Sequence, residues 1–304
     1  MSVPSATIAV TTLNRRDELR TLLETALSQE GNPEILVIDD GSTDGTAQMV
    51  LEDFPAVRVE RSERSLGLIV QRNRAAELAS GQILFSIDDD ARFTSPTTVL
   101  ETLGDFDHPR IGAVAMPFVD IRTSTRTLQV APDQDGRWVT SSYIGTAHAL
   151  RRDVFLSLGG YRGALGQMVE EPDYCLRMLD AGFATRLGRA PQIVHEESPK
   201  RDQERITELG RRNDILHGWH NVPMPYLAAR LAKVSAYSIV YPEARRHPRA
   251  VARGLARGYR DAWRSRAERA PVSPATYRLD HDLRKRGPLE LGEIEARFPA
   301  LHGD

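Results

Sequence analysis

The fold is indicated first by the stretch ILFSIDDD at residues 83–90. Its apolar half is short and rich in β-branched and aromatic side chains, which predicts a strand buried in a parallel sheet. The three carboxylates that follow lie at the carboxyl end of that strand, where open α/β sheets bind their ligands. Oxygen ligands of this kind suit Mg²⁺ or Mn²⁺ shared with a substrate phosphate. Taken alone, the acidic triplet is equally typical of a solvated loop.

Strands and helices alternate on the amino-terminal side of this stretch. Apolar runs predict strands at 6–11, 35–38, 57–59 and 83–87. Between them, the helical spacing of apolar residues predicts helices at 16–29, 45–53 and 67–80. This β-α-β-α-β-α-β order implies right-handed crossovers and a doubly wound parallel sheet. The predicted fold class is therefore α/β.

The second half of the chain has a less regular pattern. It predicts strands at 111–119, 126–130 and 192–195 and a helix at 171–181. Beyond residue 200 the sequence is helical in character and increasingly rich in arginine. We therefore expect two units, an α/β domain at 1–200 and a helical, Arg-rich region at 201–304.

Composition and charge exclude several classes of protein. The 304 residues include 40 Lys and Arg against 42 Asp and Glu, so no positive field favours a nucleic-acid partner. Cys175 is the single cysteine, which excludes an intrachain disulfide and fits a reducing compartment. No signal peptide is recognisable, and no apolar stretch reaches the roughly 20 residues of a membrane helix. We expect a cytoplasmic protein.

A second acidic pair, Asp39-Asp40, ends the predicted strand 35–38. Carboxylates in this place can accept hydrogen bonds from a base N–H or from ribose hydroxyls. The following Gly-Ser is also typical of a turn before a helix, and for the pair alone this structural interpretation is favoured. No G-x-G-x-x-G follows the first strand and no P-loop occurs, which disfavours dinucleotide oxidoreduction and P-loop hydrolysis.

Four segments together resemble the inverting glycosyltransferases of family 2, which have the GT-A fold. They are VTTLNR at 10–15, VIDDGSTDGT at 37–46, Leu66-Gly67 with Arg72-Asn73, and FSIDDD at 85–90. The resemblance implies a Rossmann-like, doubly wound, mostly parallel sheet with a helical C-terminal appendage. It also implies transfer of a hexose or deoxyhexose from a nucleoside diphosphate donor to a hydroxyl group, with inversion.

The resemblance also assigns residues to the donor and to a metal ion. The implied nucleotide-binding residues are Thr11, Leu13, Arg15, Asp39, Asp40, Arg72, Asp88 and Asp89. Asp40 would read a pyrimidine base, which favours a UDP- or dTDP-sugar. The implied ligands of Mn²⁺ or Mg²⁺ are Asp88, Asp90 and His195, although a lone histidine is as often structural. Such a metal would stabilise the departing diphosphate.

The segment EEPD at 170–173 resembles the acidic pair that leads into a helix in this family. The second member of the pair is the general base that deprotonates the acceptor hydroxyl, and here it is Glu171. A single carboxylate facing the anomeric carbon fits an inverting displacement. Glu170 and Asp173 stay open as alternatives for the base. Acidic residues in the first turn of a helix are also explained by the helix dipole.

The Arg-rich segment at 243–270 contains nine arginines and three acidic residues. Val251, Leu255, Tyr259 and Ala262 form an apolar stripe on a basic amphipathic helix. Such a helix can lie peripherally on the inner face of an anionic membrane, where lipid-linked acceptors occur. Alternatively, its stripe packs on the catalytic domain or on a second copy in a homodimer. Packing is the interpretation we favour.

Two other functions compete with sugar transfer. A nucleotidyltransferase also combines an α/β sheet with a metal–carboxylate site, but it usually needs a glycine-rich loop, and residues 11–15 contain no glycine. A sugar-nucleotide-binding protein without turnover could dispense with the base, and the intact acidic group at 170–173 argues against it. The acceptor would be a saccharide, a lipid-linked molecule or a small molecule with a hydroxyl group. The sequence identifies neither the acceptor nor the sugar.

Overall fold

The computed structural model describes residues 3–196, 202–240 and 246–301. Its centre is a nine-stranded sheet, whose strands are β1 (Ala6–Thr12), β2 (Glu34–Asp39), β3 (Arg58–Arg61), β4 (Ile83–Ile87), β6 (Ile111–Ala115), β8 (Trp138–Thr140), β9 (Ala147–Arg151), β10 (Ala184–Leu187) and β12 (Leu289–Glu290). They lie side by side in the order β12-β8-β10-β6-β9-β4-β1-β2-β3. A second, three-stranded sheet consists of β5 (Ala91–Phe93), β11 (Ile193–His195) and β7 (Phe118–Asp120), in that order.

The amino-terminal half is doubly wound, as predicted. The strands β3, β2, β1 and β4 pair in parallel, and Thr12 of β1 lies opposite Asp39 of β2. The connecting helices are α1 (Arg16–Ala26), α2 (Thr46–Asp53) and α3 (Leu68–Leu78). Ile8 and Val10 pack in one core cluster with α1, whereas Ala9 packs in the other with α3, because successive strand residues face opposite sides. All strands of the large sheet run in one direction except β8 and β9.

Two strand predictions in the second half need correction. The strand predicted at 111–119 is divided, because β6 ends at Ala115 and β7 begins at Phe118 in a different sheet. Pro117 lies at the break, and proline has no N–H to donate to a strand ladder. The strand predicted at 126–130 is wrong. That segment forms a single bridge, from Leu128 to Phe118, and Gln129 has a positive φ of 57°.

The small sheet brings His195 to the acidic triplet. In this sheet β11 pairs antiparallel with β5, so that His195 lies opposite Ala91. The same residue lies opposite Asp120 in the parallel pairing with β7. Because β5 begins one residue after Asp90, the pairing places His195 beside the end of β4.

The remaining helices cover the sheet and build the C-terminal region. They are α4 (Thr98–Gly104), α5 (Arg152–Ser157), α6 (Glu170–Asp180), α7 (Gln203–Asn221), α8 (Tyr226–Val240), α9 (Pro248–Arg264), α10 (Pro274–Arg286) and α11 (Leu291–Ile294). The C-terminal region is helical, as predicted, but β12 also pairs with β8 at the edge of the large sheet. The predicted boundary between residues 200 and 201 lies outside the described residues and stays a prediction. No helix in the described ranges combines the length and apolar character that crossing a bilayer requires.

The Arg-rich helix α9 packs closely on α7. Gly254 and Gly258 lie so near the backbone carbonyls of Glu208 and Arg212 that a Cβ atom at either position would collide with them. Glycine therefore sets the distance between the two helices. This contact agrees with the packing interpretation of α9.

The apolar stripe predicted on α9 is only partly buried. Val251 and Ala262 are buried, but Tyr259 is 44% exposed. Arg253 and Arg257 form ion pairs with glutamates of α7. Residues 243–245, at the start of the Arg-rich segment, lie outside the described residues.

Candidate active site

The loops that follow β1, β2 and β4 line one pocket of about 400 Å³, the strand-end pocket. The three strands are parallel neighbours, so their carboxyl ends meet at one edge of the sheet. The pocket lining includes these predicted site residues: Thr11, Leu13, Arg15, Asp40, Asp88, Asp89 and Asp90. The lining also includes Gln71 of α3, Arg205 of α7, and Gln167, which precedes α6. The pocket thus draws on both halves of the chain.

The acidic triplet forms the turn between β4 and β5, and Arg15 bridges two of its members. Nη1 of Arg15 donates to Oδ1 of Asp89 at 2.8 Å and to Oδ2 of Asp90 at 2.6 Å. Burial raises the pKa of Asp89 to about 7, although the charge of Arg15 opposes this. For Asp90, burial is outweighed by His195 and Arg15, which lower its pKa to about 2. Asp90 therefore carries a negative charge at neutral pH.

His195 presents one ring nitrogen to the triplet. Its Nδ1 lies 3.0 Å from Oδ2 of Asp120. In the neutral ring, an Nδ1–H donated to this carboxylate leaves the lone pair on Nε2. Nε2 is buried, has no hydrogen-bond partner within the described ranges, and lies 3.0 Å from Oδ1 of Asp90. Burial alone would lower the pKa of His195, but the carboxylates of Asp90, Asp88 and Asp120 raise it.

Asp88, Asp90 and His195 form a group that could hold a metal ion. Each offers a ligand atom, and these atoms lie within 4.8 Å of one another. Arg15 contacts Oδ2 of Asp90, whereas Oδ1 faces His195, so a cation on the His195 side leaves the Arg15 contact intact. Two carboxylates provide the oxygen ligands that Mn²⁺ and Mg²⁺ prefer. The unpartnered Nε2 and the paired carboxylates fit the predicted metal.

Asp40 is engaged on both carboxylate oxygens. Its Oδ1 accepts from the N–H of Leu66 at 2.7 Å and from the side chain of Gln71 at 2.5 Å. Its Oδ2 accepts from the hydroxyl of Ser65 at 2.6 Å and from the N–H of Gly67 at 3.1 Å. Because a carboxylate has about four lone-pair positions, a nucleotide base would replace one of these donors. Burial alone would raise the pKa of Asp40, but these hydrogen bonds lower it.

Asp39 lies beneath the pocket. It is fully buried, and its Oδ1 accepts from the N–H of Ser42 at 2.8 Å. Asn14 ties the same turn to the loop after β1, because it donates its N–H to Ser42 Oγ and accepts from the N–H of Thr43. Leu13, in that loop, is 41% exposed and lines the pocket. Asp39 thus supports the loop around the pocket.

Arg72 connects the triplet to the acidic pair at the start of α6. Its Nη2 donates to Oδ1 of Asp88 at 2.7 Å and to the carbonyl of Gly145 at 3.0 Å. Its Nη1 lies 3.6 Å from Oε1 of Glu170 and 3.8 Å from Oε1 of Glu171. The guanidinium group is buried. One cation therefore stands between the candidate metal ligands and the candidate bases.

Glu171 is the more accessible carboxyl of the acidic pair. Its side chain is 16% exposed, against 3% for Glu170. Burial raises the pKa of Glu171 to about 8, with a further contribution from Glu170 and opposition from Arg72. Burial also raises the pKa of Glu170. Because two adjacent carboxylates repel each other, the pair retains a proton near neutral pH.

Asp173, the third predicted base, lies in a separate ion-pair network. It is fully buried, lies 3.1 Å from both Arg162 and Arg177, and accepts from Asn221 at 2.6 Å. Burial alone would raise its pKa, but His217 and the two arginines lower it. These contacts tie α6 to α7 and commit the oxygens of Asp173 to protein partners.

Two polar residues of the site escaped the sequence-based prediction. Asp120 holds His195, and Gln71 donates to Asp40. Asp120 follows the apolar pair Phe118-Val119, so it carries the same signal, a carboxylate at a strand end, that revealed the other acidic residues. Gln71 carries no such signal, because its contact with Asp40 forms only in the folded chain.

Comparisons with known proteins bear on the family and the fold of this chain. Residues 7–163 match the model of a family described as glycosyl transferase family 2. The O-antigen biosynthesis protein RfbC of Myxococcus xanthus is 24% identical over 233 residues, which cover 67% of this chain. The chain spans only 18% of the length of RfbC and 63% of a Haloferax volcanii glucosyl-dolichyl phosphate glucuronosyltransferase.

Solved structures share the fold over nearly the whole chain. The mannosyltransferase PcManGT from Pyrobaculum calidifontis, in complex with GDP-Man and Mn²⁺, has a TM-score of 0.60 and 22% identity, covering 98% of this chain and 85% of its own. S. aureus TarS 1-349, in complex with UDP-GlcNAc, has a TM-score of 0.60 and 15% identity, covering 93% and 88%. These likenesses confirm the expected GT-A fold. With the family model matching more than half of its length, the chain belongs to glycosyl transferase family 2.

Proposed function

We propose that this protein transfers a sugar from a nucleoside diphosphate donor to a hydroxyl group of an acceptor, with inversion at the anomeric carbon. The observation that carries the proposal is the position of Arg72, which contacts Asp88 on one side and lies near Glu171 on the other. This arrangement supports a single site that combines a phosphate-binding centre with a proton-accepting carboxyl group.

The leaving-group side of the site consists of the acidic triplet and its neighbours. Asp88, Asp90 and His195 are the residues that would hold Mn²⁺ or Mg²⁺. A metal ion bound there supplies positive charge to the diphosphate as it leaves. Arg15 adds a second cation in the pocket, next to Asp90. The Mn²⁺ and GDP-Man in the PcManGT complex support the same combination here.

Glu171 is the residue that we assign as general base. Its carboxylate takes the proton of the acceptor hydroxyl while the hydroxyl oxygen forms a bond to the anomeric carbon, and the bond from that carbon to the diphosphate oxygen breaks. A pKa raised to about 8 by burial suits this role, since a general base is most effective when its pKa lies near the working pH. Glu170 is more deeply buried and Asp173 is fully ion-paired, so both are assigned supporting positions.

The donor that we favour is a UDP- or dTDP-sugar carrying a hexose or deoxyhexose. The assignment rests on Asp40, which lines the pocket and would exchange one of its present donors for the N–H of a pyrimidine. Thr11, Leu13 and Arg15 would line the nucleotide site, Asp89 would lie near the ribose, and Asp39 would hold the loop. TarS was solved with UDP-GlcNAc, which supports a uridine nucleotide in this fold.

The setting of the reaction is also part of the proposal. The acceptor is a saccharide, a lipid-linked molecule or a small molecule with a hydroxyl group. The donor-binding and catalytic unit would occupy residues 1–200, with residues 201–304 as the helical appendage. We place the reaction in the cytoplasm, at the inner face of the membrane where exposed arginines of α9 such as Arg249 and Arg264 offer a peripheral contact. A homodimer would use the outer face of the same helix.

The proposal is tested by titrating UDP, dTDP and GDP into the protein by calorimetry, each with and without Mn²⁺. We expect Mn²⁺-dependent binding of one diphosphate, weakened at least tenfold in Asp90→Asn and unchanged in Asp53→Asn, which alters an exposed carboxylate of α2. The matching diphosphate sugar is then incubated with acceptors, and sugar transfer is measured. Failure to bind any diphosphate overturns the proposal, and binding without transfer or hydrolysis supports a binding protein instead.

A further inference from the structure

A basic groove lies between α8 and α10, away from the strand-end pocket. We define it by Arg230 and Lys233 of α8 and by Arg278, Arg284 and Lys285 of α10, and it encloses about 710 Å³. An adjoining cavity of about 380 Å³ shares Arg230 and Lys233. Neither cavity shares a lining residue with the pocket that holds the acidic triplet.

In the part of the chain that the structure describes, most of the cations in the basic groove form no ion pair, although Arg230 and Arg284 act on Asp214 of the adjoining cavity and oppose the rise of its pKa on burial. Arg284 forms an ion pair with Asp280 at 2.8 Å. Within the described ranges, four cations of the groove form no ion pair: Arg230, Lys233, Arg278 and Lys285. Side chains of like charge that converge on one concave surface repel each other, so a bound anion would lower the energy of this arrangement.

We propose that the basic groove binds a phosphate group. Arginine offers a planar set of N–H donors that matches two phosphate oxygens at once, and lysine adds a mobile point charge. The groove supplies both kinds of side chain from two helices, which allows them to surround one phosphate. A carboxylate ligand would use the same donors with less charge, so a phosphate gains more from four cations.

The walls of the basic groove indicate that the phosphate belongs to a larger organic molecule. The rings of Tyr226 and Tyr277 lie 5.1 Å apart and line the groove. Nη1 of Arg278 lies 3.4 Å from the hydroxyl of Tyr226. Asp280 is buried, and its Oδ1 has no hydrogen-bond partner within the described ranges, which provides an acceptor for a ligand hydroxyl. These features suit a phosphate ester that bears hydroxyl groups.

Such an ester has two sources, a free metabolite or the headgroup of an anionic lipid. The far end of α8 exposes apolar side chains, with Ile239 65% and Val240 69% exposed. The shared chemistry is a phosphate ester in either case, and the apolar end of α8 provides a contact that only the lipid source would use. The inference stands apart from the proposed transfer reaction, since the groove contains none of the residues assigned to donor binding or catalysis.

The test compares Arg230→Ala/Lys233→Ala with the matched control Arg58→Ala/Arg126→Ala, which removes the same charge from exposed positions on β3 and in the loop after β7. Glycerol 3-phosphate is titrated without divalent metal, and sedimentation measures binding to phosphatidylglycerol and phosphatidylcholine vesicles. We expect the groove variant to weaken glycerol 3-phosphate binding at least tenfold and the control to bind like the wild type. Circular dichroism confirms that both variants fold.

The outcomes separate the two sources and keep the inference independent of donor binding. Binding of glycerol 3-phosphate alone assigns a soluble ester, and groove-dependent binding to phosphatidylglycerol vesicles assigns a lipid headgroup. No binding of either probe, or an equal loss in the control variant, overturns the inference. Mn²⁺-dependent binding of the nucleoside diphosphate is measured in the same variants. It should be unchanged, so a failure of the proposed transfer reaction is recognised separately.

Discussion

The strand-end pocket and the basic groove hold their charges in opposite ways. In the pocket, buried and half-buried acids are paired with cations: Arg72 contacts Asp88, and Arg15 contacts both other members of the acidic triplet. His195 is paired in turn with Asp120. In the basic groove, by contrast, four cations have no ion pair among the described residues. Charged side chains of the strand-end pocket are neutralised by one another, whereas most cations of the basic groove are available to a bound anion.

This difference predicts different effects of substitution in the two regions. A buried charge that loses its partner is left uncompensated, which costs several kcal/mol, about 3–5 in measured cases. An exposed cation without an acidic partner is solvated and costs little to remove. We therefore expect single substitutions to have large effects on chemistry in the strand-end pocket. In the helical region they should change ligand binding or stability instead.

The largest effect is expected for Glu171→Gln. The amide keeps the size of the side chain but cannot accept the proton of an acceptor hydroxyl, so the turnover number should fall by about 10²–10⁴-fold. Donor binding, measured by calorimetry with Mn²⁺, should remain within about threefold of the wild type, because the change removes a proton acceptor and no nucleotide contact. Glu170→Gln is the matched control and should lose less turnover. Equal activity of wild type and Glu171→Gln would contradict the assignment of the base.

The same residue sets the expected pH dependence. Since the pKa of Glu171 is raised to about 8, the carboxyl group is mostly protonated at pH 7 and must lose its proton to act as a base. The kcat/KM of the wild type should therefore rise about tenfold per pH unit below that pKa and level off above it. The profile of Glu171→Gln should lack this rise. A wild-type profile that is flat from pH 6 to 9 would assign the base elsewhere.

A smaller effect is expected for Asp120→Asn. The substitution keeps a hydrogen-bond acceptor for Nδ1 of His195 but removes the negative charge that makes the ring a better ligand. Such carboxylate partners of metal-binding histidines typically contribute about 10–100-fold to metal affinity. Titration with Mn²⁺ should show that loss, whereas Asp53→Asn should not. An unchanged Mn²⁺ affinity with a lower melting temperature would make Asp120 a purely structural partner.

The strand-end pocket was largely predictable from the sequence, for a local physical reason. A buried strand ends where carboxylates begin, so Asp40 and Asp90 could be assigned to one edge of the sheet before any contact was known. Which side chain contacts which could not be predicted. Arg72 reaches both the triplet and α6 from α3, which packs on β1 and β2, and Asp120 ends a short strand that Pro117 separates from β6.

The basic groove was not predictable at all. Its cations come from α8 and α10, which are separated in sequence by the whole of α9, and no periodic pattern joins them. The sequence drew attention instead to the arginines of α9, two of which, Arg253 and Arg257, are paired with glutamates of α7. Charge density along the chain therefore did not reveal the cations that α8 and α10 bring together. What matters for an anion is which cations converge without acidic partners, and that is a property of tertiary packing.

The smallest effect on chemistry is expected for Gly258→Ala, which tests the packing of α9 on α7. An added Cβ would lie 2.9 Å from the carbonyl oxygen of Arg212 and 2.9 Å from Cβ of Ile215, so the helices must separate. Overpacking of this kind costs about 1–3 kcal/mol. The gain in helix propensity, about 1 kcal/mol, offsets only part of that cost. Urea unfolding should therefore show a lower free energy of unfolding.

Gly210→Ala in α7 is the matched control, because no atom lies within 4 Å of the added Cβ and only the propensity gain remains. The control should be stabilised, and both variants should keep the turnover number of the wild type, since neither glycine lines the strand-end pocket. Equal stabilisation of the two variants would mean that α9 does not pack closely on α7. A loss of turnover in Gly258→Ala would instead couple the helical region to catalysis and break the separation of the two regions.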